Sequence, residues 1–122
     1  MFKVVTNSPL PRDWWRERES VNMRILWQEG DFSDVLAAAR DMVHMGWRML
    51  NHPLSSSIKP NQTLYKTLVL RQGTGLDYES LAAIEAAIAA VKKLGPFPGG
   101  SERALADLQL IDLDLCKEIK LQ

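Results

Sequence analysis

A chain of 122 residues in which 15 basic side chains balance 15 acidic ones fits one domain, able to bury well over half of the surface its unfolded form exposes. Zero net charge argues against general nucleic-acid binding, since neutralising many phosphates leaves a basic footprint. The lone cysteine, Cys116, cannot close an intramolecular disulfide, and no cluster of Cys and His has zinc-ligand spacing, so a reducing cytoplasm without metal or cofactor is expected.

Phe2 to Val5 is a β-branched and aromatic run closed by Thr6-Asn7-Ser8-Pro9, which predicts a first buried strand. It is too short for the ~7–15-residue apolar core of a secretory signal, and no later run approaches the ~18 apolar residues of a membrane span. Residues 11–19, with Trp14 and Trp15 among arginines and acids, read as a short surface helix. Val21 to Trp27 alternates and predicts a second strand. Asp31, three residues ahead of Asp34, is placed to cap a helix whose apolar positions are Val35, Leu36, Ala39, Met42 and Val43. Gly46 ends it, and a third strand follows at Trp47 to Leu50. Strand, helix, strand with such short joints predicts a parallel βαβ unit.

A fourth strand is expected at Thr67 to Leu70. Asp77 then caps a helix with Leu81, Ile84, Ile88 and Val91 on one face, stopped by Gly95-Pro96. From Ser101 the spacing of Leu105, Leu108, Ile111, Leu115 and Ile119 fits a helix, whereas Ile111 to Leu115 also alternates like a strand. Length and the Ser101 cap favour the helix. The expected architecture is a single α/β domain spanning residues 1–122, a mostly parallel sheet of about four strands with helices on its faces.

Between the third and fourth strands lies His52-Pro53-Leu54-Ser55-Ser56-Ser57-Ile58-Lys59-Pro60-Asn61-Gln62-Thr63-Leu64-Tyr65-Lys66. It is too polar for a core, and it sits at the ~12–15-residue limit beyond which structureless connections are functional or disordered. Two prolines restrict it, so it is expected to be ordered and to turn back onto the strand ends. Ligands in open α/β sheets bind beyond the carboxyl ends of parallel strands, and that edge would gather Thr6, Asn7 and Asp31 with His52, Ser55, Ser57, Lys59, Asn61, Tyr65 and Lys66. The lysines and hydroxyls suit a small anion. His52 is the candidate acid–base group, its unperturbed pKa of ~6.5 suiting work near neutrality. A histidine satisfying its own turn and two solvated lysines are the bland readings of the same residues. No GxxxxGK[ST], GxGxxG or GxSxG is present, which removes the recognised phosphate, dinucleotide and serine-hydrolase motifs.

This segment, together with Val4-Val5-Thr6-Asn7-Ser8-Pro9-Leu10, resembles the GrdX family, the small protein X encoded beside the selenium-dependent glycine, sarcosine and betaine reductase complexes of anaerobic bacteria. The shared patterns are a strand ending in Thr-Asn-x-Pro-Leu and the later His-Pro-Leu-Ser-x-Ser-x-Lys-Pro-Asn-x-Thr-x-Tyr-Lys, and the resemblance covers roughly residues 1–94. It implies association with amino-acid reductive metabolism rather than a particular reaction. The leading expectation is therefore an accessory or small-ligand-binding protein, with a small anionic metabolite and reductase components as partners. Two alternatives stand beside it: a small enzyme acting on an anionic amino-acid-like or phosphorylated metabolite through His52, and a protein-interaction module, possible as a homo-oligomer, built on exposed aromatics.

Overall fold

The computed structural model describes residues 1–121. In chain order the elements are β1 (Phe2–Thr6), α1 (Pro9–Arg16), β2 (Met23–Trp27), α2 (Phe32–His44), β3 (Trp47–Met49), β4 (Thr67–Gln72), α3 (Tyr78–Leu94) and α4 (Glu102–Lys117). The strands form one sheet in the order β2-β1-β4-β3.

The α/β class and the four strands agree with expectation, but the sheet is mixed and mostly antiparallel. β1 pairs with β2 in parallel, Val4 opposite Ile25, whereas β4 lies antiparallel to both neighbours, Val69 opposite Val4 and Leu70 opposite Met49. The strand, helix, strand spacing behind the parallel expectation fits the shared direction of β1, β2 and β3, but it carries no information on β4, which enters reversed between β1 and β3. Val4, Val5, Leu68, Val69 and Leu70 are all fully buried, because helices cover both faces. Continuous apolar runs are typical of parallel strands buried on both faces, but they report the burial and not the direction. Because β4 is reversed between β1 and β3, the strands β1, β2 and β3 still point the same way, and their carboxyl ends share one edge with the start of β4.

Alternation along the strands sorts the core into two layers. Val5, Leu68 and Leu70 pack with α2 and α3 residues such as Leu36, Val43 and Ile84. Val4 and Val69 pack on the other side with Trp15, Met23 and Cys116, under α1 and α4. Trp15 is thus a core residue, only 2% exposed, on a helix that starts at Pro9 rather than residue 11. β2 begins at Met23, later than expected, and Val21 is left in solvent.

Local chemistry fixes the helix starts. Asp31 and Asp34 form a reciprocal capping box, Asp34 N donating to Asp31 Oδ1 at 3.2 Å and Asp31 N donating to Asp34 Oδ2 at 2.9 Å. Gly30, at φ +114°, makes room for it, since a Cβ there would overlap the Asp34 carboxylate. Residues 102–117 are helical, capped by Ser101 Oγ accepting from Ala104 N at 3.1 Å. Among the described residues no helix is long and apolar enough to cross a membrane.

Candidate functional site

Thr6, at the end of β1, and Thr67, at the start of β4, are cross-strand neighbours. Their hydroxyls meet at 2.8 Å. Thr67 Oγ1 donates onward to Asp112 Oδ2 of α4 at 2.7 Å, so it accepts from Thr6, whose own oxygen accepts from Ser8 N at 3.0 Å. The result is one directed chain, Ser8 N to Thr6 to Thr67 to Asp112, in which each hydroxyl gives and receives. All four residues are buried. Burial raises the Asp112 carboxyl above its ordinary range, opposed by the Thr67 hydrogen bond and the charge of Lys66.

Lys66 is 3% exposed. Desolvation lowers its pKa, and the nearby Asp112 charge works against that shift. The two groups do not form a contact pair, because Nζ is more than 4.0 Å from the carboxylate, and no described residue accepts a hydrogen bond from it. Both instead line one small cavity of about 20 Å³ with Phe32, Leu54, Leu108 and Leu115, enough for roughly one water, which needs about 10–15 Å³ on the same measure. Cys116, one turn beyond Asp112, is a buried thiol pushed up to about 12, first by desolvation and then by the Asp112 charge, which makes it unreactive as a nucleophile.

The 52–66 segment forms the cavity's roof. Pro53 and Thr63 are buried, and Leu54 packs against the α2 and α3 core. Its ends are tied to the sheet. Asn51 extends the ladder past β3, its Nδ2 donating to Thr67 O at 3.0 Å and its Oδ1 accepting from Val69 N at 2.9 Å. Asn7 clasps the other end: Nδ2 donates to Gly30 O and Leu64 O at 3.0 and 2.9 Å, and Oδ1 accepts from Lys66 N at 3.0 Å.

Of the candidate residues, only Tyr65 and Lys66 line the cavity. Thr6 and Asn7 stand directly behind it, and Asp31 is joined to them through Gly30 but serves as the helix cap. Tyr65 OH accepts from Gln109 Nε2 of α4 at 3.1 Å. His52 is exposed, with Nδ1 accepting from Leu54 N at 3.0 Å, so one ring nitrogen holds its own Pro-containing turn. Its outward side borders a shallow depression with Glu118 and Lys120. Ser55 Oγ donates to His52 O at 2.8 Å. Ser57 and Lys59 are exposed at the loop tip, while Asn61 Oδ1 is buried without a hydrogen-bond partner among the described residues. The structure therefore does not bring His52, Lys59 and Lys66 to one point.

Asp112 and Thr67 were not among the residues expected at the site. Asp112 could have been found, because it falls on the same helical stripe as Leu108, Leu115 and Ile119, and a lone carboxylate on an apolar stripe must be paired or neutral. Among the described residues no group of three or more His, Cys, Asp or Glu is placed to hold a metal ion.

These features define a small α/β domain whose polar strand-end edge is roofed by a long loop and braced by a C-terminal helix. The chain belongs to the GrdX-like protein family, whose model matches residues 3–120. That span runs past the expected limit near residue 94 and takes in α4, and with it Asp112. Comparison with curated proteins and with solved structures gives no match.

Proposed function

We propose that the protein is a cytoplasmic accessory protein of the glycine, sarcosine and betaine reductase system that binds a small metabolite between the 52–66 loop and α4, with an anionic group of the ligand on Lys66. One observation carries this reading: Lys66, only 3% exposed, lines a cavity, and its ammonium has no hydrogen-bond acceptor among the described residues. Burying such a charge is costly unless it is paired, and a ligand carboxylate or phosphate supplies the pair. Tyr65 lies beside it, Thr6 reaches the site through Thr67 and Asp112, Asn7 holds the Lys66 backbone, and Asp31 fixes the adjoining helix. His52, Ser55, Ser57, Lys59 and Asn61 belong to the roof. Membership of the GrdX-like family supports the metabolic setting, and in this reading the reductase components are its macromolecular partners.

The test is a melting screen against glycine, sarcosine, betaine, acetate and acetyl phosphate. A ligand at ~100 times its dissociation constant should stabilise the fold by ~2.7 kcal/mol, several degrees in melting temperature for a domain of this size. Lys66→Met should remove that response while the unliganded protein stays folded, because it replaces a desolvated charge by an apolar chain of similar length. A wild type unmoved by the whole panel rejects the binding reading.

A further inference from the structure

The floor of the cavity carries two opposite charges and not one. Lys66 Nζ has no acceptor among the described residues, while Asp112 has Oδ2 committed to Thr67 and no described donor on Oδ1. They face the same space at a separation wider than a direct ion pair. The remaining wall is mostly apolar, from Phe32, Leu54, Ile58, Leu108 and Leu115. A simple anion on Lys66 would lie against the Asp112 carboxylate, and a simple cation on Asp112 would lie against the Lys66 ammonium. A molecule carrying both signs at its two ends satisfies both at once.

Resting on the proposed binding role, we infer that the ligand is a small zwitterion of the α-amino-acid type, its carboxylate accepting from Lys66 Nζ and its ammonium donating to Asp112. The cavity of about 20 Å³ holds only a water while the roof is down, so entry requires the loop to lift. Lifting it would uncover Pro53 and Thr63 and free Leu54 from the core, but would break few hydrogen bonds. Every hydrogen bond made by residues 52–63 to a described partner stays within residues 52–65, as with Leu54 N to His52 Nδ1, Lys59 N to Gln62 Oε1 and Tyr65 N to Thr63 Oγ1. The roof therefore keeps its internal bonds as it moves, and its anchors at Asn51, Leu64 and Lys66 are at the ends. A trimethylated ammonium has no N–H for Asp112, so methylation of the nitrogen removes that contact.

The experiment is calorimetric titration of the full chain with glycine, betaine, acetate and methylamine. Glycine should bind at least about tenfold more tightly than any of the other three, since each lacks one charge-assisted hydrogen bond. Asp112→Asn, which keeps an acceptor for Thr67, should weaken glycine by about tenfold and bring acetate up toward it. Acetate or betaine equal to glycine on the wild type overturns the zwitterion while leaving an anion site at Lys66. No heat or stabilisation from any probe overturns the binding role itself. The probe series on wild-type protein decides the matter even if the Asp112 variant folds poorly.

Discussion

The two faces of the sheet are packed by different rules. On the α2 and α3 side, Val5, Leu36, Val43, Leu68, Leu70 and Ile84 are fully buried, and Lys3 meets that cluster with its ammonium 4.8 Å over the Trp47 ring. Beneath α1 and α4 the same sheet meets Trp15 and Cys116, and α4 brings Asp112 down onto Thr67, beside Lys66. A domain of this size does not need a buried lysine and aspartate to fold, and such pairs are weak contributors to stability. The contrast is between a face packed by apolar side chains and one that also buries a lysine and an aspartate.

The largest expected effect lies on the apolar face. Leu36→Ala should cost about 2–5 kcal/mol in urea denaturation, the usual range for emptying a well-packed core position, without altering ligand response except through the folded fraction. Asn7→Ala should come next, at roughly 1–3 kcal/mol, because Gly30 O, Leu64 O and Lys66 N all lose their partner in a buried setting. A value below about 0.5 kcal/mol there would mean that water replaces the clasp and that the loop root is wetter than its burial indicates.

The polar face should announce itself through pH. Asp112 has a folded pKa above its ordinary 3.8, so between 3.8 and the raised value the native state binds more protons than the unfolded state, and stability falls as pH rises through that window. Lys66 is shifted the other way, below 10.5, so its penalty is present at neutral pH and is relieved as pH climbs toward 10.5. The Asp112 cost is therefore full above its raised value, and the Lys66 cost is full below its lowered one. Denaturation of wild type and Asp112→Asn over the whole accessible range above pH 3.8 should show the wild type gaining on the variant as the solution is acidified through that window. Parallel curves would mean that Asp112 is not desolvated and would dissolve the contrast between the faces.

Local signals wrote most of this fold legibly. Asp31 with Asp34, Asp77 before α3 and Ser101 before α4 are caps whose partners lie three residues on, so a short window contains the whole interaction. Strand direction was not legible, because whether Val69 runs with or against Val4 depends on how the 52–66 loop returns, and no local pattern encodes that path. The site was half legible for the same reason. Thr6, Asn7, Tyr65 and Lys66 flank turns that the sequence displays, whereas Asp112 arrives from 45 positions beyond Thr67. Exposed His52 and Lys59 drew attention by residue type, but nothing in sequence tells a lysine at a loop tip from one at a loop root.

That last distinction yields the smallest and sharpest prediction. Lys59→Ala should change stability by less than about 0.5 kcal/mol, since its side chain is exposed and its backbone N–H to Gln62 survives the substitution. His52→Ala removes only the acceptor for Leu54 N, an exposed donor that water can satisfy, so it belongs in the same range. Both variants should respond to glycine as the wild type does, while Lys66→Met, seven positions from Lys59, should not. Loss of response in Lys59→Ala with retention in Lys66→Met would move the binding site from beneath the roof to its outer surface. The water-sized cavity would then be a packing defect beside two costly buried charges, and the exposed motif residues would regain the role that their composition first suggested.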